Sequence, residues 1–174
     1  MPDVLTHFAV VFGATSPIYG IKRGFIFGLF SVLPDLDVLF HVHRSISHSL
    51  VFLLLVSLPF IAFLWRFYRG LFWTGIGCLL ALLVHPVFDV FGGFTPLFYP
   101  LMPDSLLIEV HGGVLFGSSF VPFVSVSVYT KPTVFEPFTE FEGVVFSGVS
   151  LPVSLVLILL PLLYRAVKFR AGNI

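Results

Sequence analysis

The sequence predicts an all-α integral membrane protein of about five helical spans, the first two short or re-entrant, with a small β-containing segment outside the bilayer. Three observations predict it. Hydrophobic residues make up 57% of the 174-residue chain and charged residues 10%, with a mean hydropathy of +1.06, too little polar surface for a soluble domain. Residues 49–67, 70–90 and 144–167 each approach the ~20 apolar residues that cross a bilayer core. Charge is also one-sided: all nine acidic residues and all six histidines fall at one end of the apolar segments, and seven of the nine basic residues at the other.

Taken in order, residues 5–19 and 25–33 form two short apolar helices whose ends are marked by Pro17 and Pro34. They are thin spans or a re-entrant hairpin, and either way the chain returns to its starting side before the third helix. That helix opens at Ser49, with Ser47 as a reasonable N-cap and His48 in its first turn. Residues 92–143 are rich in Pro, Gly, Phe and β-branched residues and form a cap inserted into a single membrane domain spanning residues 1–174. Leu106 to Val110 and the alternating Val124-Ser125-Val126-Ser127-Val128 are its two strands. The single cysteine, Cys78, excludes an internal disulfide, and the zero net charge gives no hint of a nucleic-acid partner.

Alternate connections carry the basic residues: Lys22 and Arg23, then Arg66 and Arg69, then Arg165, Lys168 and Arg170. By positive-inside bias those ends are cytoplasmic, which puts the N-terminus and the acidic and histidine-bearing ends outside the cell membrane. Arg44 and Lys131 are the two basic residues on the outer side.

Ionisable groups at membrane depth are expensive, so several at one level satisfy each other or an ion. His85 and Asp89, at i and i+4, share one helix face near the outer end of the fourth span, as two ligands to a metal or as a hydrogen-bonded pair. Asp35 and Asp37 follow Pro34 in a turn from which both can reach one centre, or in which they serve only the turn. His48 opens the third span and His7 the first helix. His7, Asp35, Asp37, His48, His85 and Asp89 thus come from the outer ends of four helices. A mixed nitrogen and oxygen set of this size suits two neighbouring divalent ions, and hydrolysis is the natural chemistry of such a pair. Arg44 at the same level is suited to bind a phosphate or carboxylate, or to pair with Asp35 or Asp37.

Thr6-His7, Leu33-Pro34-Asp35-Leu36-Asp37, His43-Arg44-x-x-Ser47-His48-Ser49 and His85-x-x-x-Asp89, followed by Thr95-Pro96 and Tyr99-Pro100, resemble the YdjM-like family of membrane-bound metal-dependent hydrolases. That family is distantly similar to the zinc-dependent phospholipase C and P1 nuclease fold. The resemblance implies zinc, with His7, Asp35, His48, His85 and Asp89 as ligands. It makes Asp37 a ligand or general base and Arg44 a phosphate contact. The chain departs from the family pattern at Ser45, Ser47 and Gly92. His111, two residues after Glu109, is read as an extra ligand or a solvated strand histidine, and Glu136, Glu140 and Glu142 as a solvated acidic rim.

The favoured reading is a hydrolase acting on a phosphoester, a lipid head group or lipid-linked phosphate, because a site at the ends of short spans meets head groups first. Two alternatives stand beside it: a non-enzymatic protein that binds or moves metal ions or protons, and a purely structural His/Asp cluster. Residues 25–33, 51–64 and 71–84 contain only scattered Ser, Thr, Gly, Pro and Cys as breaks in their apolar character, which argues against a conduit.

Overall fold

The computed structural model describes residues 3–117, 119–140 and 144–171. Five helices and a two-stranded antiparallel hairpin account for its main elements: α1 Val4–Tyr19, α2 Ile21–Val32, α3 Leu50–Phe67, α4 Arg69–Asp89, β1 Asp104–Phe116, β2 Phe120–Pro132 and α5 Ser150–Ala171. Among the described residues α3, α4 and α5 are long and apolar enough to cross a membrane, and α1 is a shorter apolar helix. Glu142 lies outside the described residues.

Local chemistry moved several boundaries. Pro17 sits inside α1 rather than ending it, because a proline in the last turn removes one helical hydrogen bond and leaves the earlier ones intact. The helix ends instead at Gly20, whose φ of 84° reverses the chain in a single residue, so Lys22 and Arg23 already belong to the first turn of α2. Past α2 the chain tightens into a 3₁₀ helix, Leu33–Phe40, with Pro34 in its first turn, where the missing N–H costs nothing. Ser49, not Ser47, caps α3 by accepting the Phe52 N–H at 3.3 Å; Ser47 and His48 sit just before it in a short 3₁₀ turn, Ile46–His48.

The start of α5 is displaced from residue 144 to Ser150, where Asp3 ties it to α1. One Asp3 oxygen accepts the Thr6 N–H at 2.9 Å and its hydroxyl at 2.8 Å, which caps α1. The other accepts the Ser147 N–H at 3.0 Å and the Ser150 hydroxyl. Burial raises the pKa of this carboxylate, but the hydrogen bonds from Ser150, Thr6 and Ser147 outweigh it and hold the value below the usual range. Asp3→Ala removes a cap and leaves half-buried donors of Thr6, Ser147 and Ser150 without this acceptor, so it should destabilise the protein by about 2 kcal/mol, seen as a lower melting temperature in detergent.

The helices pack in the order α5, α1, α2, α4, α3. Small residues permit close approach, as expected where lipid supplies no hydrophobic drive between helices. A Cβ at Gly24 of α2 would lie 2.9 Å from Ser16 Cα of α1, and one at Gly77 of α4 would lie 2.4 Å from the Phe27 ring of α2. Val11, Phe27, Cys78 and Ala81 make the apolar core where α1, α2 and α4 meet.

Because successive helices run antiparallel, the start of α1, the end of α2, the start of α3, the end of α4 and the start of α5 share one end of the bundle. Lys22, Arg23, Arg66, Arg69, Arg165 and Lys168 sit at the opposite end. The strands predicted at Leu106 to Val110 and Val124 to Val128 do pair, with Ile108 opposite Val128 and Val110 opposite Val126, but the ladder runs far beyond them, through all 13 residues of each strand. The hairpin is tied to the site end by an Ile108 N–H to Val90 carbonyl bond of 2.9 Å and by a bridge between Thr95 and Leu106.

Candidate metal centre

Four ligand atoms from three elements converge at that end: Asp35 Oδ1 from the 3₁₀ helix, His48 Nε2 from the turn before α3, and His85 Nε2 and Asp89 Oδ2 from α4. All lie within 4.8 Å of one another. The two histidine nitrogens are 3.2 Å apart. His48 Nε2 is 3.6 Å from Asp35 Oδ1 and 3.3 Å from Asp89 Oδ2, and His85 Nε2 is 3.3 and 3.6 Å from the same two atoms. A tetrahedral zinc with bonds of about 2.0–2.1 Å would need ligand atoms about 3.3–3.4 Å apart. The donor set therefore fits a divalent ion in both chemistry and spacing.

The outer nitrogen of each ring is held by a neighbour. His85 Nδ1 donates to the Ser31 carbonyl at 2.6 Å, and His48 Nδ1 donates to Asp37 Oδ2 at 3.2 Å. Both Nε2 atoms thus face inward, the tautomeric arrangement that neighbouring carbonyls and carboxylates impose on metal-bound histidines. Ser31 in turn reaches α1, its hydroxyl lying 3.1 Å from the His7 carbonyl. Asp37 Oδ2 also accepts the Ser45 N–H at 2.8 Å and the Ser47 hydroxyl at 3.0 Å.

Two of the sequence-predicted residues lie outside this four-atom group. Asp37 stands on the far side of the His48 ring and forms a second group with His43 and His48. His7 is fully buried, with Nε2 3.1 Å from Asp89 Oδ1 and its ring centroid 4.0 Å from that of His85. Arg44, held at a positive φ of 54°, brings Nε to 3.7 Å from Asp89 Oδ2 and donates from Nη1 to the Phe94 carbonyl at 3.4 Å. Its Nε and Nη2 are buried without a hydrogen-bond partner. Gly93 makes room for it, since a Cβ there would lie 1.9 Å from Nη1. His111 pairs with Glu109 at 3.5 Å on the exposed hairpin and joins neither group.

Sequence reasoning missed three contributors. His43 was foreshadowed only by the density of histidines between positions 41 and 48. Ser47 had been assigned to the helix cap. Ser31 acts through its backbone carbonyl and leaves no sequence signal.

A family model described as YdjM inner membrane protein matches residues 1–171. The chain belongs to the YdjM family. No curated protein and no solved structure matches it. In this YdjM-family protein, three membrane-length helices and a His/Asp cluster with metal-ligand spacing therefore occur together.

The electrostatics identify what a metal must displace. Burial lowers the His48 pKa, yet the hydrogen bonds to Asp35, Asp37 and Asp89 prevail and push it up to about 10. Burial likewise raises Asp35 and Asp37, but bonds from His48 and His85 to the former, and from His43 and His48 to the latter, hold both well below the usual carboxylate range. Without metal, His48 is a proton-bearing cation among carboxylates. Its pKa is raised on folding, so its stabilising contribution is complete below the ordinary value of 6.5 and is lost as pH rises through about 10. The melting temperature of chelator-treated protein should fall across that window, whereas metal-loaded protein should show a much flatter profile.

Proposed function

We propose that this protein is a multi-pass membrane protein whose Asp35, His48, His85 and Asp89 hold one divalent metal ion, most suitably zinc, and that the ion ties together the ends of α2, α3 and α4. The observation that carries this reading is the pair of imidazole nitrogens turned towards each other at 3.2 Å between two carboxylates, an arrangement that a divalent ion between them satisfies more fully than a single shared proton. Asp37 is then an orienting partner of His48, and His7 an orienting partner of Asp89. The Asp37, His43 and His48 group could take a second ion only by giving up the His48 Nδ1 bond to Asp37, so one ion per chain is expected. The site end faces out of the cell and the basic end faces the cytoplasm, in line with positive-inside bias. Thermal unfolding with and without a strong chelator tests the structural role. The reading expects a lower melting temperature on chelation, restored by stoichiometric zinc; an unchanged melting temperature contradicts it.

A second reading, metal-dependent hydrolysis of a phosphoester, is favoured by Arg44. Its Nε and Nη2 are buried beside Asp89 without a hydrogen-bond partner, as expected of a guanidinium that receives an anionic oxygen. The ion would act as a Lewis acid and lower the pKa of a water. Arg44 would hold the anionic group, and Asp35, the most exposed of the four candidate ligands, would mark the open side. An apolar groove of about 460 Å³ between α1, α2 and the 3₁₀ helix, lined by Leu5, Phe8, Leu29 and Leu36 among others, has room for an acyl chain and suits a lipid or lipid-linked phosphate. Metal-loaded protein assayed against phospholipids, lipid-linked phosphates and soluble phosphoesters should release phosphate or head group from a lipid substrate, and lose that activity on chelation. Failure across the panel would leave only the metal-binding role.

A further inference from the structure

The β1–β2 hairpin has two chemically different faces. The register places Ile108, Val110, Gly112, Val114 and Phe116 of β1 on one face with Val128, Val126, Val124, Pro122 and Phe120 of β2, and none of these side chains is polar. The opposite face carries Glu109, His111, Ser125, Ser127 and Tyr129, with Leu107, in its basal half, and Phe123, Leu115 and Val121 towards the tip, where both faces are apolar. The apolar face is uncovered: Val110, Phe116, Phe120, Val124, Val126 and Val128 are all more than half exposed. Charge is confined to the base, and residues 112–130 contain no acidic, basic or histidine side chain. Phe116 and Phe120 stack edge to face at the tip, with centroids 5.4 Å apart.

Such a ribbon is not built for water, where exposed strands are protected by charged residues and two strands alone are marginally stable. Entry into the hydrocarbon core is closed as well, because both ribbon edges have backbone groups that lipid cannot satisfy. The boundary between lipid and water satisfies all of these limits, since there the apolar face meets acyl chains while the edges and the polar face stay hydrated. It is also beside the hairpin, which springs from the ends of the membrane helices.

We propose that the hairpin lies on the bilayer surface at the site end, apolar face against lipid and Glu109, His111, Ser125 and Ser127 towards water, with the Phe116–Phe120 pair as its anchor. This holds whether or not the metal centre is catalytic.

The test is site-directed spin labelling of the full-length protein in vesicles of phosphatidylethanolamine and phosphatidylglycerol. In a Cys78→Ala background, Val124→Cys, Ser125→Cys, Val126→Cys and Ser127→Cys each receive a nitroxide. The ratio of accessibility to oxygen over accessibility to a water-soluble nickel chelate is then measured. The ratio should alternate, several-fold higher at 124 and 126 than at 125 and 127. Equal ratios at all four positions overturn the proposal. Low accessibility to both reagents at 124 and 126, with or without spin–spin broadening, also overturns it and points to a protein partner or a second copy. Four neighbouring positions keep the pattern readable if one variant folds poorly.

Discussion

His85→Ala should lower divalent-metal affinity by well over 100-fold, to the point where protein purified without added metal carries none. The size follows from the position of His85: fully buried, its Nε2 within 3.6 Å of each of the other three donor atoms, and its tautomer fixed by the Ser31 carbonyl. Asp37→Ala provides the internal comparison. Asp37 reaches the centre only through His48 Nδ1, and loss of such an orienting partner typically costs 10–100-fold in metal affinity. Calorimetric zinc titration of the two variants should therefore show a deep and a moderate defect. Equal defects would place Asp37 among the direct ligands, and no defect in His85→Ala would remove it from the centre.

Arg44→Ala should keep its metal and lose its anion. The guanidinium lies beside Asp89 but is not itself a ligand, so metal content should be unchanged. Burial depresses its pKa, and the carboxylates of Asp89, Asp35 and Asp37 act in the opposite direction. Charge-assisted hydrogen bonds contribute about 1.5–3 kcal/mol each, so phosphate should bind metal-loaded protein about 10- to 100-fold more weakly in the variant. Arg44→Lys should recover only part of this, since a point charge cannot reproduce two parallel N–H donors. Phosphate titration followed by calorimetry gives the answer. Equal phosphate binding by Arg44→Ala and the unmodified protein would leave the hydrolytic reading without its supporting observation.

The parts of the site legible in the sequence were those with a helical period. His85 and Asp89 at i and i+4 must share a face, and alternating passes must bring His7, His48 and His85 to one end. The pair Asp35 and Asp37 was legible only in part. In a 3₁₀ helix of three residues per turn, positions two apart diverge, so Asp35 turns to the two imidazole nitrogens and Asp37 to Ser45, Ser47 and the back of His48. A proline followed by two aspartates does not announce which kind of turn it makes. The hairpin was underestimated for a related reason. Alternation marked only its middle, whereas cross-strand pairing continued through Gly112, Gly113 and the aromatic tip, where no period-two pattern survives. The start of α5 was misplaced because hydropathy does not register Asp3 drawing Ser147 and Ser150 into a cap.

The most direct measurement of the central claim is the metal content of the protein, purified in detergent without added metal or chelator and analysed for all first-row divalent ions. The account predicts about one ion per chain, zinc foremost, retained through gel filtration and absent from His85→Ala and Asp89→Ala. A metal-free protein that binds no added zinc and melts at the same temperature with and without chelator would contradict it, and would leave the cluster as a set of ion pairs held by the His48 proton.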